Sequence, residues 1–122
     1  MNQYIKNFPV EEVVNLAGQI TVRSGEIASK TLAQNDAVSI TLFAFDKGEE
    51  ISTHESVGDA FVTVLEGVGE YTVGGKKYEV HAGESLVMPA NVPHAVYGKE
   101  AFKWLLVVVF PKGYGVDMEK QE

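Results

Sequence analysis

Apolar and polar residues along most of this chain alternate in short runs, the period of half-buried β-strands rather than of helices. The runs are IASKTLA (27–33), AVSITLFAF (37–45), AFVTVLE (60–66), EYTVGGKKYEV (70–80), SLVMP (85–89), HAVYG (94–98) and FKWLLVVVF (102–110). Between them stand turn formers: Asn35-Asp36, Asp46-Lys47-Gly48, Gly67, Gly74-Gly75 and Ala82-Gly83-Glu84. Gly74-Gly75, with a strand pattern on each side, predicts a two-residue hairpin. One segment has helical spacing. Val10, Val13, Val14 and Ala17 follow Pro9 at i, i+3, i+4 and i+7, with Glu11 and Glu12 at the start and Gly18 as a stop, which predicts a helix of two turns at most. Turns recurring about every ten residues, without a long helix, predict an all-β barrel or a two-sheet jelly roll. The polar, glycine-containing segment 112–122 is expected to be loose.

Composition narrows the function classes. A chain of 122 residues is the size of one domain, and no internal repeat, low-complexity stretch or linker divides it, so 1–122 is read as a single unit. With 17 acidic residues against 10 basic ones the formal charge is −7, which repels a polyanionic backbone and argues against nucleic acid as partner. There is no cysteine, so disulfides, thiolate metal ligands and cysteine nucleophiles are excluded together. The longest apolar run, LLVVVF (105–110), is far shorter than the ~20 residues a membrane-spanning helix needs, and the first residues lack the pattern of a secretory leader. The expectation is a soluble cytoplasmic protein without membrane contact.

Two of the three histidines lie in patterned surroundings. Gly48, His54 and Gly67 are spaced as Gly-x5-His-x12-Gly, and Gly83, Pro89 and His94 as Gly-x5-Pro-x4-His, on successive hairpins. Together the two patterns, spanning about 37–110, resemble the paired motifs of the cupin family. The resemblance implies a double-stranded β-helix, jelly-roll-like barrel, here with a short N-terminal helix and the strands of 8–33 outside the motif core. It also implies an interior site where three histidines and a glutamate hold a divalent metal such as zinc, nickel, iron or manganese. In this sequence Ser56 stands where the second histidine belongs and Ala60 where the glutamate belongs; Asn91 takes a glycine slot and Gly98 an asparagine slot.

Of the four ligands the resemblance implies, two imidazoles remain, His54 and His94. Alternation places Val96 on the same face as His94, Tyr97 on the opposite one, Val62 and Val64 on the face of Ala60, and Asp59 pointing away. The favoured reading is a small-molecule pocket in which His54, Ser56 and His94 are polar groups among aliphatic ones. The first alternative is a metal-dependent oxygenase or isomerase with His54 and His94 on the ion. The second is a metal-independent isomerase or epimerase using one histidine as general base. His81, at a strand end before a turn, is read as a solvated surface residue. A homodimer is implied by the resemblance and gains support from the β-rich segment 20–33, which would otherwise leave an open sheet edge.

Overall fold

The computed structural model describes residues 4–114. Nine strands follow one another: β1 (Ile27–Gln34), β2 (Val38–Phe45), β3 (Glu50–His54), β4 (Asp59–Glu66), β5 (Val68–Val73), β6 (Lys76–His81), β7 (Ser85–Met88), β8 (His94–Gly98) and β9 (Phe102–Val109). They form two antiparallel sheets, ordered β1-β2-β9-β4-β7 and β3-β8-β5-β6. The expected all-β jelly-roll architecture is what the chain adopts. Gly74 and Gly75 join β5 to β6 with φ of 57° and 83°, both in the left-handed region that this hairpin requires.

The core lies between the inner faces. Ala60, Val62 and Val64 of β4 point inward and are sealed from solvent, as alternation required. Against them pack Phe45, Phe102, Trp104 and Tyr71, with Phe45 and Phe102 edge to face at 5.1 Å, Tyr71 and Trp104 edge to face at 5.4 Å, and Phe102 and Trp104 parallel at 6.1 Å between centroids. Burying each side chain of this size contributes about 1.5–3 kcal/mol. A second cluster lies outside the barrel. Leu42 and Ala44, on the outer face of β2, are fully buried with Ile20, and Leu16, Val22, Leu65 and Leu105 pack around them. β2 is thus covered on both faces, which is why LFAF reads as a continuous apolar run.

The predicted N-terminal helix is absent. The only helical turn in this region is a 3-10 turn, Leu16–Gln19, which begins after Val14, with the Asn15 side chain accepting the Gly18 N–H at 3.2 Å. Val10 is 63 % exposed, Val13 fully so, and Glu11 has φ 58°, incompatible with a helix. Three β-branched valines in so short a segment cannot offset the cost of nucleation, and the spacing meets no apolar surface to bury against. The segment instead runs beside β1, where the Lys6 N–H donates to the Leu32 carbonyl and the Asn7 side-chain amide to the Thr31 carbonyl, covering part of that edge. Strand β3 is an element the periodicity did not reveal. It is a sheet edge, four of its five residues are exposed, and only Ile51 turns a hydrophobic side chain inward. Of the tail expected to be loose, 115–122 lies outside the described residues.

Candidate functional site

His54 ends β3 and His94 begins β8, and the two are register partners across the sheet. Their Nε2 atoms lie 3.0 Å apart. His94 is 3 % exposed, whereas His54 stands at the mouth and is exposed. Each ring is oriented by a backbone carbonyl two residues earlier: His54 Nδ1 is 2.9 Å from the Ser52 oxygen and His94 Nδ1 is 3.2 Å from the Val92 oxygen. A carbonyl only accepts, so both contacts favour rings protonated on Nδ1, which turns the two Nε2 lone pairs toward each other. A proton must lie between them for the contact to be attractive. Burial pushes the pKa of His94 down, and positive charge on His54 lowers it further. Burial thus makes His94 the less favourable of the two rings to carry positive charge.

The motif positions without a metal ligand each have a structural explanation. Asn91 adopts φ 62°, a left-handed conformation that asparagine tolerates better than most residues, so it can stand in for glycine. Its N–H donates to the Ser56 carbonyl at 2.7 Å and ties the β3–β4 loop to the β7–β8 loop. Gly98 donates to the Glu49 carbonyl and accepts from the Gly48 N–H, both at 2.8 Å; a Cβ here would lie 2.8 Å from the Asp46 oxygen. Ser56 Oγ accepts the Gly58 N–H at 3.3 Å. Ala60 is buried, while Asp59 points outward as expected and its carboxylate accepts the Ala90 N–H at 2.8 Å.

A cavity of about 490 Å³ opens beside the pair, and His54, Ser56, Ala60 and His94 all line it. The expectation that the three candidate site residues His54, Ser56 and His94 converge thus corresponds to one shared cavity. Its remaining walls are mostly apolar: Met88, Val96, Leu106 and Val108, with the aromatic rings of Phe43, Trp104, Phe110 and Tyr114. Phe43 stacks on Trp104 at 4.6 Å and Phe110 on Tyr114 at 4.5 Å. These aromatic walls escaped the sequence reading. Both faces of β9 are apolar, so alternation did not say which side of FKWLLVVVF meets a cavity. His81 is on the surface, 2.9 Å from the Glu79 carboxylate, and outside the site.

Whether a divalent metal suits this site turns on the donor set. Among the described residues no group of three or more His, Cys, Asp and Glu side chains could hold an ion, although Glu55 as well as Ser56 lines the cavity with alanine, methionine and valine. Two imidazoles alone do not make the donor set that catalytic transition-metal sites use. The residues present do not fit the four-ligand metal of the resemblance.

The two facing antiparallel sheets, with a histidine-marked cavity inside, define a small jelly-roll barrel with an interior site. Residues 41–109 match the family model for the cupin domain, and the chain belongs to the cupin family. It is similar to a conserved protein of unknown function from Streptococcus pyogenes, with 43 % identity, a TM-score of 0.89, and coverage of 91 % of this chain and 97 % of that one. A cupin superfamily protein from Desulfitobacterium hafniense is 36 % identical with a TM-score of 0.84, covering 88 % of this chain and 98 % of the other. A cupin 2 conserved barrel domain protein from Leptotrichia buccalis is 46 % identical with a TM-score of 0.78; 79 % of this chain matches 47 % of that longer one. No curated protein matches the sequence. Among the described residues no helix is long and apolar enough to cross a membrane.

Proposed function

We propose that this cupin barrel binds a small, largely apolar organic molecule, held at one end by the His54–His94 pair. The observation that carries the reading is the cavity of about 490 Å³, within the ~300–1,000 Å³ typical of small-molecule sites, with aromatic and aliphatic walls and a few convergent polar groups. The polarity of the pair defines the polar end of the ligand. His54, exposed at the mouth, is the imidazole nearest an incoming polar group such as a carboxylate or carbonyl, which would replace one of the ring's present contacts. Phe43 and Trp104, stacked on one another, offer a flat wall to a ring or chain.

Trp104 is the single tryptophan of the chain and lines the cavity, so its fluorescence reports on that wall alone. Chelator-treated protein is titrated with a panel of small aromatic and alicyclic acids, amides and alcohols, starting from phenylacetate and phenylacetamide, and hits are repeated by calorimetry. The expected result is saturable binding by metal-free protein that weakens by about tenfold in His54→Ala, the worth of one hydrogen bond to a charged group. Loss of all binding on metal removal, or no saturable response from the whole panel, refutes the reading.

We also propose a homodimer. It is supported by the outer face of β4, β7 and β9, where Phe61 (47 % exposed), Val87 (50 %) and Val109 (55 %) leave apolar surface facing solvent. Sedimentation velocity of the native chain and of Phe61→Lys tests it: a native monomer, or a dimer unaffected by the charge, rejects this face.

A further inference from the structure

We infer that Ser56 and Ala60 keep this site free of a resident metal ion, so that the histidine pair meets an organic group where an ion would otherwise sit. The inference builds on the binding reading above, but its main test does not depend on the ligand. The two Nε2 atoms, 3.0 Å apart, are spaced like neighbouring ligands of a six-coordinate ion with bonds near ~2.1 Å. The imidazoles themselves therefore do not exclude metal. What is missing is everything that would complete the coordination sphere.

Each potential replacement ligand is otherwise engaged or unsuitable. Ala60 lies in the cavity wall on β4, in register with Met88 on one side and Val108 on the other, so its surroundings in the sheet are apolar. The carboxylate next to it in sequence, Asp59, faces outward and is bound by the Ala90 N–H. Ser56 Oγ already accepts the Gly58 N–H, and a neutral hydroxyl is a poor donor to a transition metal. Glu55 lines the cavity, yet it forms no three-member donor group with the pair.

The inference predicts that restoring the donors creates metal binding that the native chain lacks. Untagged native protein is purified without chelator and its metal content measured by elemental analysis. Native, Ala60→Glu and Ser56→His/Ala60→Glu proteins are then titrated with Co²⁺ by calorimetry and by visible absorption. The expected result is native protein with far less than one ion per chain, and a folded double variant binding Co²⁺ on the order of 100-fold more tightly, with new ligand-field bands. The inference is overturned if native protein carries about one ion per chain that His54→Ala removes, or if the double variant, folded by circular dichroism, binds Co²⁺ no better than native. Should the buried glutamate prevent folding, the native chain still decides. Equal Co²⁺ affinity of native, His54→Ala and His94→Ala supports the inference, and a loss of affinity in the alanine variants overturns it. Fluorescence titration with phenylacetate runs in parallel, so that failure of ligand binding is read separately from failure of metal exclusion.

Discussion

Tyr71 is fully buried in the middle of β5, and its hydroxyl has no hydrogen-bond partner among the described residues. Burial pushes its pKa up, out of the range in which a phenol ordinarily ionises. A buried hydroxyl without a partner costs about 1–3 kcal/mol relative to water. The ring is a separate matter, since it packs edge to face on Trp104 and Phe102 and accounts for the conservation of shape that any substitution must respect. Tyr71→Phe keeps the ring and removes only the oxygen. The gap left is smaller than a methyl group, whose loss costs ~1 kcal/mol, so the net effect is a gain of about 1 kcal/mol. For a domain of this size that raises Tm by about 3–5 °C. Urea unfolding followed by Trp104 fluorescence, with calorimetry for Tm, measures it. A destabilised Tyr71→Phe would refute the reasoning, because it would mean that the hydroxyl is satisfied by an ordered water. Alkaline titration of native protein gives a second check: the absorbance change should fall short of all five tyrosines, Tyr71 staying un-ionised, until the protein unfolds.

Gly67 has φ 76°, and a Cβ there would collide with the Ala101 carbonyl and with Phe102, so Gly67→Ala should cost at least about 2 kcal/mol in urea unfolding; a neutral variant would show that the β4–β5 turn can relax. His94 has a folded pKa below its ordinary 6.5, so the unfolded chain takes up the proton first. Its contribution to stability is complete above pH 6.5 and is lost as pH falls from there toward the folded pKa. The urea midpoint should therefore fall between pH 7.5 and 5.5, and His94→Gln should flatten that part of the profile; an unchanged slope in the variant would assign it to other groups. The lowered pKa values of Asp46 and Glu79 act in a separate window, below their ordinary 3.8 and 4.5.

What the sequence disclosed depended on whether one face of an element was buried and the other wet. β4 is the clear case: Ala60, Val62 and Val64 inward against Asp59 and Phe61 outward are legible from alternation alone. β2 and β9 are buried or half-buried on both faces, so their existence was plain and their orientation was not. β3 was invisible because an exposed edge strand needs no apolar pattern, although it carries His54. The N-terminal valines misled for the opposite reason, having the spacing of a helix without a surface to cover. The candidate site was legible through the family resemblance that the spacing of glycines, proline and histidines carries, and the structure places His54, Ser56 and His94 on one cavity. The aromatic walls were not, since nothing local distinguishes an aromatic ring beside a cavity from one packed in the core.

The placement of His54 on that polar edge has a consequence for how the site works. β3 has one neighbour in its sheet, β8, and the pairing between them is irregular from Ile51 to His54. β8 is held on both sides, with β5 in continuous register from Gly69 to Val73. One histidine of the pair is therefore fixed in a central strand and the other rides on an exposed edge strand with irregular pairing. Local opening concentrates where backbone bonds are exposed and apolar contacts are few, so the cost of separating the two rings falls mainly on β3. Removing Ile51, the one side chain anchoring that strand to the core cluster, should loosen the pair while leaving β8 intact. Hydrogen exchange on Ile51→Ala tests this: protection should drop at β3 amides and hold at Tyr71 and Val96, and an equal loss at both would show that the two sides of the pair open as one unit.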